Sequence, residues 1–232
     1  MSFLLKKREP RPYNYVCTPT GDELPAMFAF WRWLGSDAGL GSPLVPIMGG
    51  SLKNLVRQEG MLPNFRARFC TRVLKIEPYR KFLMEQAAVG PVVSYVGLRA
   101  DEQGRAGGAY ADIEGVSMRF PLREWGFGEN EVQSALADLG VQCPHRTDCA
   151  RCYHQRIGEW YELWRDFPEV FDDAVADEDE RGATYRTPGR DSWPSSLREM
   201  REKFRAGLIP KTSLARMGRE RMAAGGCRVC SM

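Results

Sequence analysis

Cysteine is the residue type in this sequence whose spacing points most directly to chemistry. The chain has seven cysteines, and three of them, Cys143, Cys149 and Cys152, lie within ten residues. The last two form a Cys-x-x-Cys turn, which presents two thiolates to one metal ion. A nearby third thiol and one distant thiol would complete a four-thiolate metal site. The alternative is a set of free thiols or a reducible pair.

Cys70 is the predicted distant ligand. Three arginines lie close to it in sequence: Arg66, Arg68 and Arg72. Positive charge lowers the pKa of a thiol and favours the thiolate that binds metals. Four thiolates suit either zinc or an iron–sulfur cluster, and spacing alone does not choose between them.

The other three cysteines are predicted to play different parts. Cys17 falls inside a predicted strand and is expected to be a small buried apolar residue. Cys227 and Cys230 form a second Cys-x-x-Cys pair near the end of the sequence. For this pair we expect mobile thiols or a weak redox pair rather than a second metal site.

Basic residues form a second pattern. Arg72 and Lys75 follow Cys70, and Arg99 and Arg105 bracket a polar, glycine-rich segment after an apolar run. Arginine offers a bidentate fork to phosphate or sulfate, and parallel sheets bind anions beyond the carboxyl ends of their strands. These residues predict an anion site, with a solvated basic surface as the alternative. The sequence contains neither a Walker loop nor Gly-x-Gly-x-x-Gly.

The elements that would position these residues have the order of an α/β fold. A strand at residues 13–18 is followed by a glycine-containing turn and a helix with apolar residues at helical spacing. The apolar run 91–98 predicts a strand covered on both faces. Further predicted elements are a strand at 44–47 and helices at 51–59, from 77, at 129–139, around 157–164 and at 196–205.

Composition places the chain among globular proteins. Its 232 residues are 43% hydrophobic and 27% charged, which excludes a wholly disordered or collagen-like chain. No apolar run approaches the roughly 18 residues of a membrane span, and residues 1–8 place charge after the apolar residues, the reverse of a signal peptide. We therefore expect a soluble, cytoplasmic protein without a membrane partner.

Charge is distributed unevenly along the chain. Residues 181–232 carry 12 Lys and Arg against 4 Asp and Glu, whereas the whole chain has a net charge of +3. An acidic run, Asp172 to Glu180, precedes this basic part. The sequence predicts an α/β domain at 1–180 and a basic, partly helical tail at 181–232.

Several segments, taken together, resemble the phosphoadenosine phosphosulfate reductase family of the adenine nucleotide alpha-hydrolase superfamily, especially its phage and prophage versions. Their order and spacing agree over roughly residues 13–175. The segments are Cys17-Thr-Pro-Thr-Gly-Asp-Glu23, Phe69-Cys70-Thr-Arg-Val-Leu-Lys75-Ile-Glu-Pro78, Gly97-Leu-Arg99-Ala-Asp-Glu102 with Arg105, Pro121-Leu122-Arg-Glu-Trp125 with Glu131-Val132, and Cys149-Ala-Arg-Cys152.

The resemblance implies a Rossmann-like parallel sheet flanked by helices, with an adenine nucleotide, ATP or phosphoadenosine phosphosulfate, at the carboxyl ends of the strands. Some branches carry a four-iron, four-sulfur cluster on cysteines at corresponding places. The resemblance therefore raises iron–sulfur above zinc. The implied ligands are Cys70, Cys143, Cys149 and Cys152.

The resemblance also assigns parts to the other residues. Gly21, Asp22 and Glu23 would border the nucleotide, Arg99 and Arg105 would hold the anionic group, and Arg72 and Lys75 would lie near the cluster. In a reductase, Cys227 and Cys230 would supply the thiol that attacks the sulfonate sulfur, with a thioredoxin-like protein as reductant.

The family's phosphate loop, Ser-Gly-Gly-Lys-Asp-Ser, would precede residues 1–5, which correspond to the helix after it. We therefore expect the given sequence to lack the first strand and this loop, and to bind nucleotide weakly. A misplaced gene start and a natural truncation both remain open explanations.

The leading hypothesis is an enzyme that acts on an adenine sulfonucleotide or an adenylylated substrate in sulfur metabolism or sulfur transfer. One alternative is an ATP pyrophosphatase that introduces sulfur into DNA or tRNA. The other is a non-catalytic, metal-stabilised module that binds nucleic acid or a partner protein through its basic tail.

Overall fold

The computed structural model describes residues 1–106, 110 and 112–223. The chain is mixed α/β, with 47% helix and two small parallel sheets, which confirms the predicted α/β class. No helix in the described residues has the length and apolar character needed to span a bilayer.

Most of the regular secondary structure is helical. The helices of the described residues are α1 (Ser2–Arg8), α2 (Pro25–Leu34), α3 (Leu52–Glu59), α4 (Phe69–Thr71), α5 (Glu77–Ala87), α6 (Pro121–Glu124), α7 (Glu129–Asp138), α8 (Ile157–Asp166), α9 (Pro168–Arg181), α10 (Leu197–Arg205) and α11 (Lys211–Ala223). A π-helical segment, Arg72–Ile76, joins α4 to α5.

Each sheet is a parallel pair of strands. Strand β1 (Tyr15–Cys17) pairs with β2 (Leu44–Pro46), and β3 (Val92–Tyr95) pairs with β4 (Val116–Arg119). Helix α2 lies between β1 and β2 in sequence, so these elements form a βαβ unit. The predicted strand–turn–helix order around the first strand is confirmed. The described strands form two separate pairs, so a single Rossmann-like sheet is not confirmed and stays a prediction.

Strand β3 corrects one expectation. We expected the apolar run 91–98 to be covered on both faces, but Val93 is 44% exposed. Successive side chains of a strand point to opposite faces, and α5 contacts this strand. The buried Ser94 bonds Tyr79 of α5 at 2.6 Å. Only one face of this two-stranded sheet is therefore covered at Val93.

Helix α3 forms where its capping residues predict it. The side chain of Ser51 accepts a hydrogen bond from the backbone N–H of Asn54 at 3.3 Å, and the helix ends at Gly60, whose φ of 65° is left-handed. A hydroxyl at the start and a glycine just beyond the end satisfy groups that the helix cannot bond internally.

The main hydrophobic core lies among α3, α8, α9 and α10. Its fully buried side chains include Trp160, Phe171, Leu197 and Met200. A smaller core surrounds Leu83 of α5. Helix α10 confirms the predicted helix at 196–205, and it packs against α9, which contains the acidic run. Residues on both sides of position 180 therefore share one core.

Candidate functional site

Two distant segments meet at the Cys-x-x-Cys turn. Glu23 and Cys149 form an antiparallel bridge, and the Ala150 N–H donates to the carbonyl of Asp22 at 2.5 Å. The Thr20 hydroxyl lies 3.1 Å from the Cys149 sulfur. The turn after β1 is thus attached by its backbone to the cysteine segment 129 residues later.

A buried ion network fixes this junction. Arg151, inside the Cys-x-x-Cys turn, donates through Nε to Asp22 and through Nη1 to Asp177 of α9, both at 2.8 Å. The three side chains are 4%, 8% and 8% exposed. Tyr185 also donates to Asp177, at 3.0 Å. Burial opposes the charge of Arg151, but its hydrogen bonds with Asp22 and the negative charges of its neighbours together raise its pKa.

Three of the predicted ligands share this region. Cys70 and Cys149 pack against the main core, and Cys152 is buried. Burial raises the pKa of Cys149 to about 12. Burial also raises the pKa of Cys152, and negative charge on Cys149 and Cys70 raises it further. Cys152 is therefore close enough to Cys149 and Cys70 for their charge to affect its ionisation.

Lys75 places a positive charge near the sulfur atoms of Cys70 and Cys149. Burial raises the pKa of Cys70, while a hydrogen bond with Thr71 and the charges of Lys75 and Arg68 lower it. Lys75 also lowers the pKa of Cys149. The expected effect of basic neighbours on Cys70 is present, but desolvation outweighs it and keeps the metal-free thiol protonated.

The fourth predicted ligand has a different neighbour. Burial raises the pKa of Cys143, and the amino group of Met1 lowers it. Met1 itself lies beside Gly97, just beyond β3, since a Cβ at Gly97 would be 3.6 Å from the Met1 side chain. The structure therefore places Cys143 near the amino terminus and the end of β3.

The donor set fits a thiolate metal centre in its chemistry. Sulfur ligands in a buried site suit zinc or iron–sulfur, and a bound metal deprotonates a thiol that would otherwise stay neutral. Within the described part of the chain, no three His, Cys, Asp or Glu side chains are already arranged as a metal-binding group. Binding would therefore have to draw the sulfur atoms of Cys70, Cys149 and Cys152 together.

Glu23 adds an unsatisfied acceptor to the same place. Its Oε1 accepts from the Thr20 N–H and hydroxyl, both at 2.7 Å. Its Oε2 is buried without a partner among the described residues. The charge of Glu23 raises the pKa of both Cys149 and Cys17. A buried, unpaired carboxylate oxygen is costly, so this atom marks a position suited to a cation or a hydrogen-bond donor.

Asp22 and Gly21 have structural roles in addition to the predicted contact with a nucleotide. Asp22 is already paired with Arg151. Gly21 has a φ of 70°, and a Cβ there would lie 3.2 Å from the Cβ of Ser51. Both residues shape the turn after β1, where the sequence predicts that they border a nucleotide.

The predicted anion-binding arginines are paired with carboxylates. Arg99 donates to Asp101 at 2.9 Å, and Arg105 donates to Glu102 at 2.8 Å. Arg123 donates to the backbone carbonyls of residues 99, 102 and 105, and so orders this segment. An anion at this position would have to compete with these carboxylates.

The Arg72 side chain is 60% exposed and pairs with Glu77. Cys17 is half-buried in β1, and burial raises its pKa to about 11. Cys227 and Cys230 lie outside the described residues, as do Gly107 and Gly108 of the glycine-rich segment.

Sequence reasoning missed Thr20, Arg151 and Asp177. Arg151 stands inside the Cys-x-x-Cys turn, and a charged residue between two candidate ligands is the local signal that could have indicated it. Asp177 belongs to the acidic run that we interpreted as a boundary.

Comparisons of the chain with family models, curated proteins and solved structures gave no match.

Proposed function

We propose that the chain carries a thiolate metal centre, iron–sulfur rather than zinc, and acts on an adenine sulfonucleotide or adenylylated substrate in sulfur metabolism or sulfur transfer. The observation that carries this proposal is the group formed by the half-buried Cys70 and Cys149 and the buried Cys152, attached to the turn after β1. The resemblance to the phosphoadenosine phosphosulfate reductase family supplies the substrate class. A Rossmann-like arrangement of the two strand pairs is part of the proposal.

The location of the thiols supports a ligand site nearby. Gly21, Asp22 and Glu23 follow the carboxyl end of β1, and β1 pairs in parallel with β2. Ligands of open α/β folds bind beyond the carboxyl ends of parallel strands. The bridge between Glu23 and Cys149 brings the cysteine turn to this edge. A metal centre there would adjoin the edge at which a nucleotide is expected.

The side chains around the thiols have defined tasks in this proposal. An iron–sulfur cluster, when bound, would supply redox-active iron and fasten the Cys149–Cys152 turn to the segment around Cys70. Lys75 offsets the negative charge of the thiolates. Arg151 holds the turn in place through Asp22, and the Glu23 Oε2 can accept a hydrogen bond from a bound group.

Turnover of a sulfonucleotide tests the activity directly. Anaerobically purified protein would be incubated with phosphoadenosine phosphosulfate and a thioredoxin-like reductant, and sulfite would be measured. We expect sulfite release that Cys149→Ser abolishes and that Cys17→Ser, a cysteine outside the proposed ligand set, leaves intact.

A Cys227→Ser variant distinguishes the role of the tail from that of the metal centre. If the tail supplies the attacking thiol, this variant should keep its metal but release no sulfite. Failure of the metal-loaded protein to release sulfite would overturn the sulfonucleotide proposal.

Sulfur modification of DNA or tRNA is the second candidate, and the basic carboxyl-terminal part of the chain favours it. Residues 181–232 carry 12 Lys and Arg against 4 Asp and Glu. Binding to nucleic acid would weaken as salt rises, because phosphate contacts release counterions. Salt-dependent binding together with ATP-dependent pyrophosphate release would favour the modification enzyme. Salt-dependent binding without turnover would favour the non-catalytic binding module.

A further inference from the structure

A second candidate site lies away from the cysteine turn, in a cavity of about 540 Å³ between the start of α8, residues 186–193 and the start of α11. Its volume falls in the range of ligand pockets, roughly 300–1,000 Å³. Five basic residues line it: Arg156, Arg186, Arg190, Lys211 and Arg216.

Two carboxylates near this cavity pair with three of its five basic residues. Asp191 pairs with Arg186, and Glu220 of α11 pairs with both Arg156 and Arg216. Like charges held together destabilise one another, and a bound anion relieves that repulsion.

Arg186 contributes an unsatisfied donor. Its side chain is 2% exposed, and its Nη1 donates to the carbonyls of Trp193 and Pro194 at 3.2 and 3.1 Å. Its Nε is buried without a partner among the described residues. A buried guanidinium N–H without an acceptor carries a desolvation cost that a ligand oxygen would remove.

The start of α11 adds neutral donors to the same cavity. Thr212 and Ser213 line it from the first turn of this 13-residue helix. First-turn N–H groups have no partner inside a helix and lie at its positive end. Ser213 also accepts from the Gly158 N–H of α8 at 3.0 Å, which fastens the two helix starts together.

We propose that this cavity is a phosphate-binding site. Buried arginine, exposed cations, hydroxyls and a helix start converge on it, and these are the groups that recognise phosphate oxygens. The phosphate can belong to a small phosphorylated ligand or to a nucleic-acid backbone, and the chemistry is the same for both. The inference does not depend on the metal centre, because the lining residues include none of the cysteines.

Isothermal titration calorimetry tests the site with two probes on the full chain: inorganic pyrophosphate and a short single-stranded oligonucleotide without terminal phosphates. Lys211→Gln removes one exposed cation from the cavity. We expect it to weaken binding of the preferred probe about tenfold, the equivalent of roughly 1.4 kcal/mol. Arg205→Gln is the matched control, since it removes an exposed cation of α10 outside the cavity.

Each outcome decides the proposal. Preference for pyrophosphate identifies a small ligand, and preference for the oligonucleotide identifies a backbone phosphate; both require sensitivity to Lys211→Gln. Saturation by neither probe overturns the site, as does binding that Lys211→Gln and Arg190→Gln leave unchanged. Circular dichroism of the variants verifies folding. Probe binding that persists in the Cys149→Ser variant would support this phosphate site even if the proposal of a metal centre were wrong.

Discussion

At the scale of single residues, the cysteine turn depends on a buried arginine as much as on its thiols. Arg151 links Asp22, beyond β1, to Asp177 of α9. A buried ion pair adds little net stability, but loss of one partner leaves an uncompensated charge that is costly. The site is therefore held by a network in which every member matters.

The first prediction concerns this network. Arg151→Met keeps a long side chain but leaves Asp22 and Asp177 buried without their cation. We expect a loss of about 3–5 kcal/mol in the free energy of unfolding, measured by urea denaturation. Arg165→Met is the control: it breaks an exposed pair with Asp166 and should cost less than about 1 kcal/mol. Equal losses in the two variants would contradict the proposed importance of the buried network.

The sequence predicted the candidate ligands but not the residues that hold them in place. Cysteine spacing is local, so Cys149 and Cys152 are visible within four residues of sequence. The contact of Arg151 with Asp22 spans 129 residues, and nothing local indicates such a pairing. The same reason explains why Asp22 was assigned only to a nucleotide.

At the scale of elements, close packing explains the glycine at position 49, before α3. A Cβ at Gly49 would lie 2.6 Å from Pro78 and 2.7 Å from the carbonyl of Val73. These contacts belong to the π-helical segment and the start of α5, just beyond Cys70. Pro78 lacks an N–H for the helix ladder, and proline disturbs the helix before it. Glycine at position 49 has no side chain, so the connection between β2 and α3 can pack directly against the π-helical segment.

The second prediction is that Gly49→Ala lowers the free energy of unfolding by about 1–3 kcal/mol, because the added methyl overlaps backbone atoms that cannot move away easily. Gly90→Ala is the matched control, since a Cβ there meets nothing within 4 Å. Thermal unfolding of both variants would check the difference. A Gly49→Ala protein as stable as Gly90→Ala would show that the segment yields without cost.

Glu178 makes the junction of α9 and α10 sensitive to pH. Its carboxylate accepts from the Tyr185 N–H at 2.9 Å and from the Leu197 N–H, at the start of α10, at 2.7 Å. Burial raises its pKa to about 7. Because the folded state then holds its proton more tightly than the unfolded chain, this group's contribution to stability is complete below pH 4.5 and falls as the pH rises to 7.

The third prediction concerns this fall in stability with rising pH. Between pH 4.5 and pH 7 the wild-type protein should lose up to about 3 kcal/mol through Glu178, and Glu178→Gln, which cannot ionise, should lose less over the same interval. Urea unfolding at several pH values measures both slopes. Glu169→Gln, an exposed change on α9, should keep the wild-type slope. Identical slopes for Glu178→Gln and the wild type would contradict the assignment.

Elements with clean periodicity were predictable and others were not. Helices α3 and α10 have capping residues or one apolar face, and both formed close to the predicted residues. Helix α9 was missed because its buried face contains Asp177 and Glu178, so its hydrophobic pattern is interrupted. The exposure of Val93 was missed because an apolar sequence does not reveal which face a neighbouring helix covers.

At the scale of the whole molecule, the cysteine turn adds a polar junction between the first strand pair and the main core. The first strand pair lies near the amino terminus, and the main core is built largely from helices after residue 150. The hydrogen bonds of Asp22 with Ala150 and Arg151 join the two. A metal held by Cys70, Cys149 and Cys152 would strengthen that junction, because a ligand that binds only the folded state stabilises it.

Metal and sulfide analysis of anaerobically purified protein, with its visible absorption spectrum, tests this metal centre most directly. We predict about four iron and four sulfide per chain with broad visible absorption, retained in Cys17→Ser and lost in Cys149→Ser and Cys152→Ser. Zinc alone would contradict the iron–sulfur assignment. Folded protein that contains neither iron nor zinc would contradict the metal centre itself.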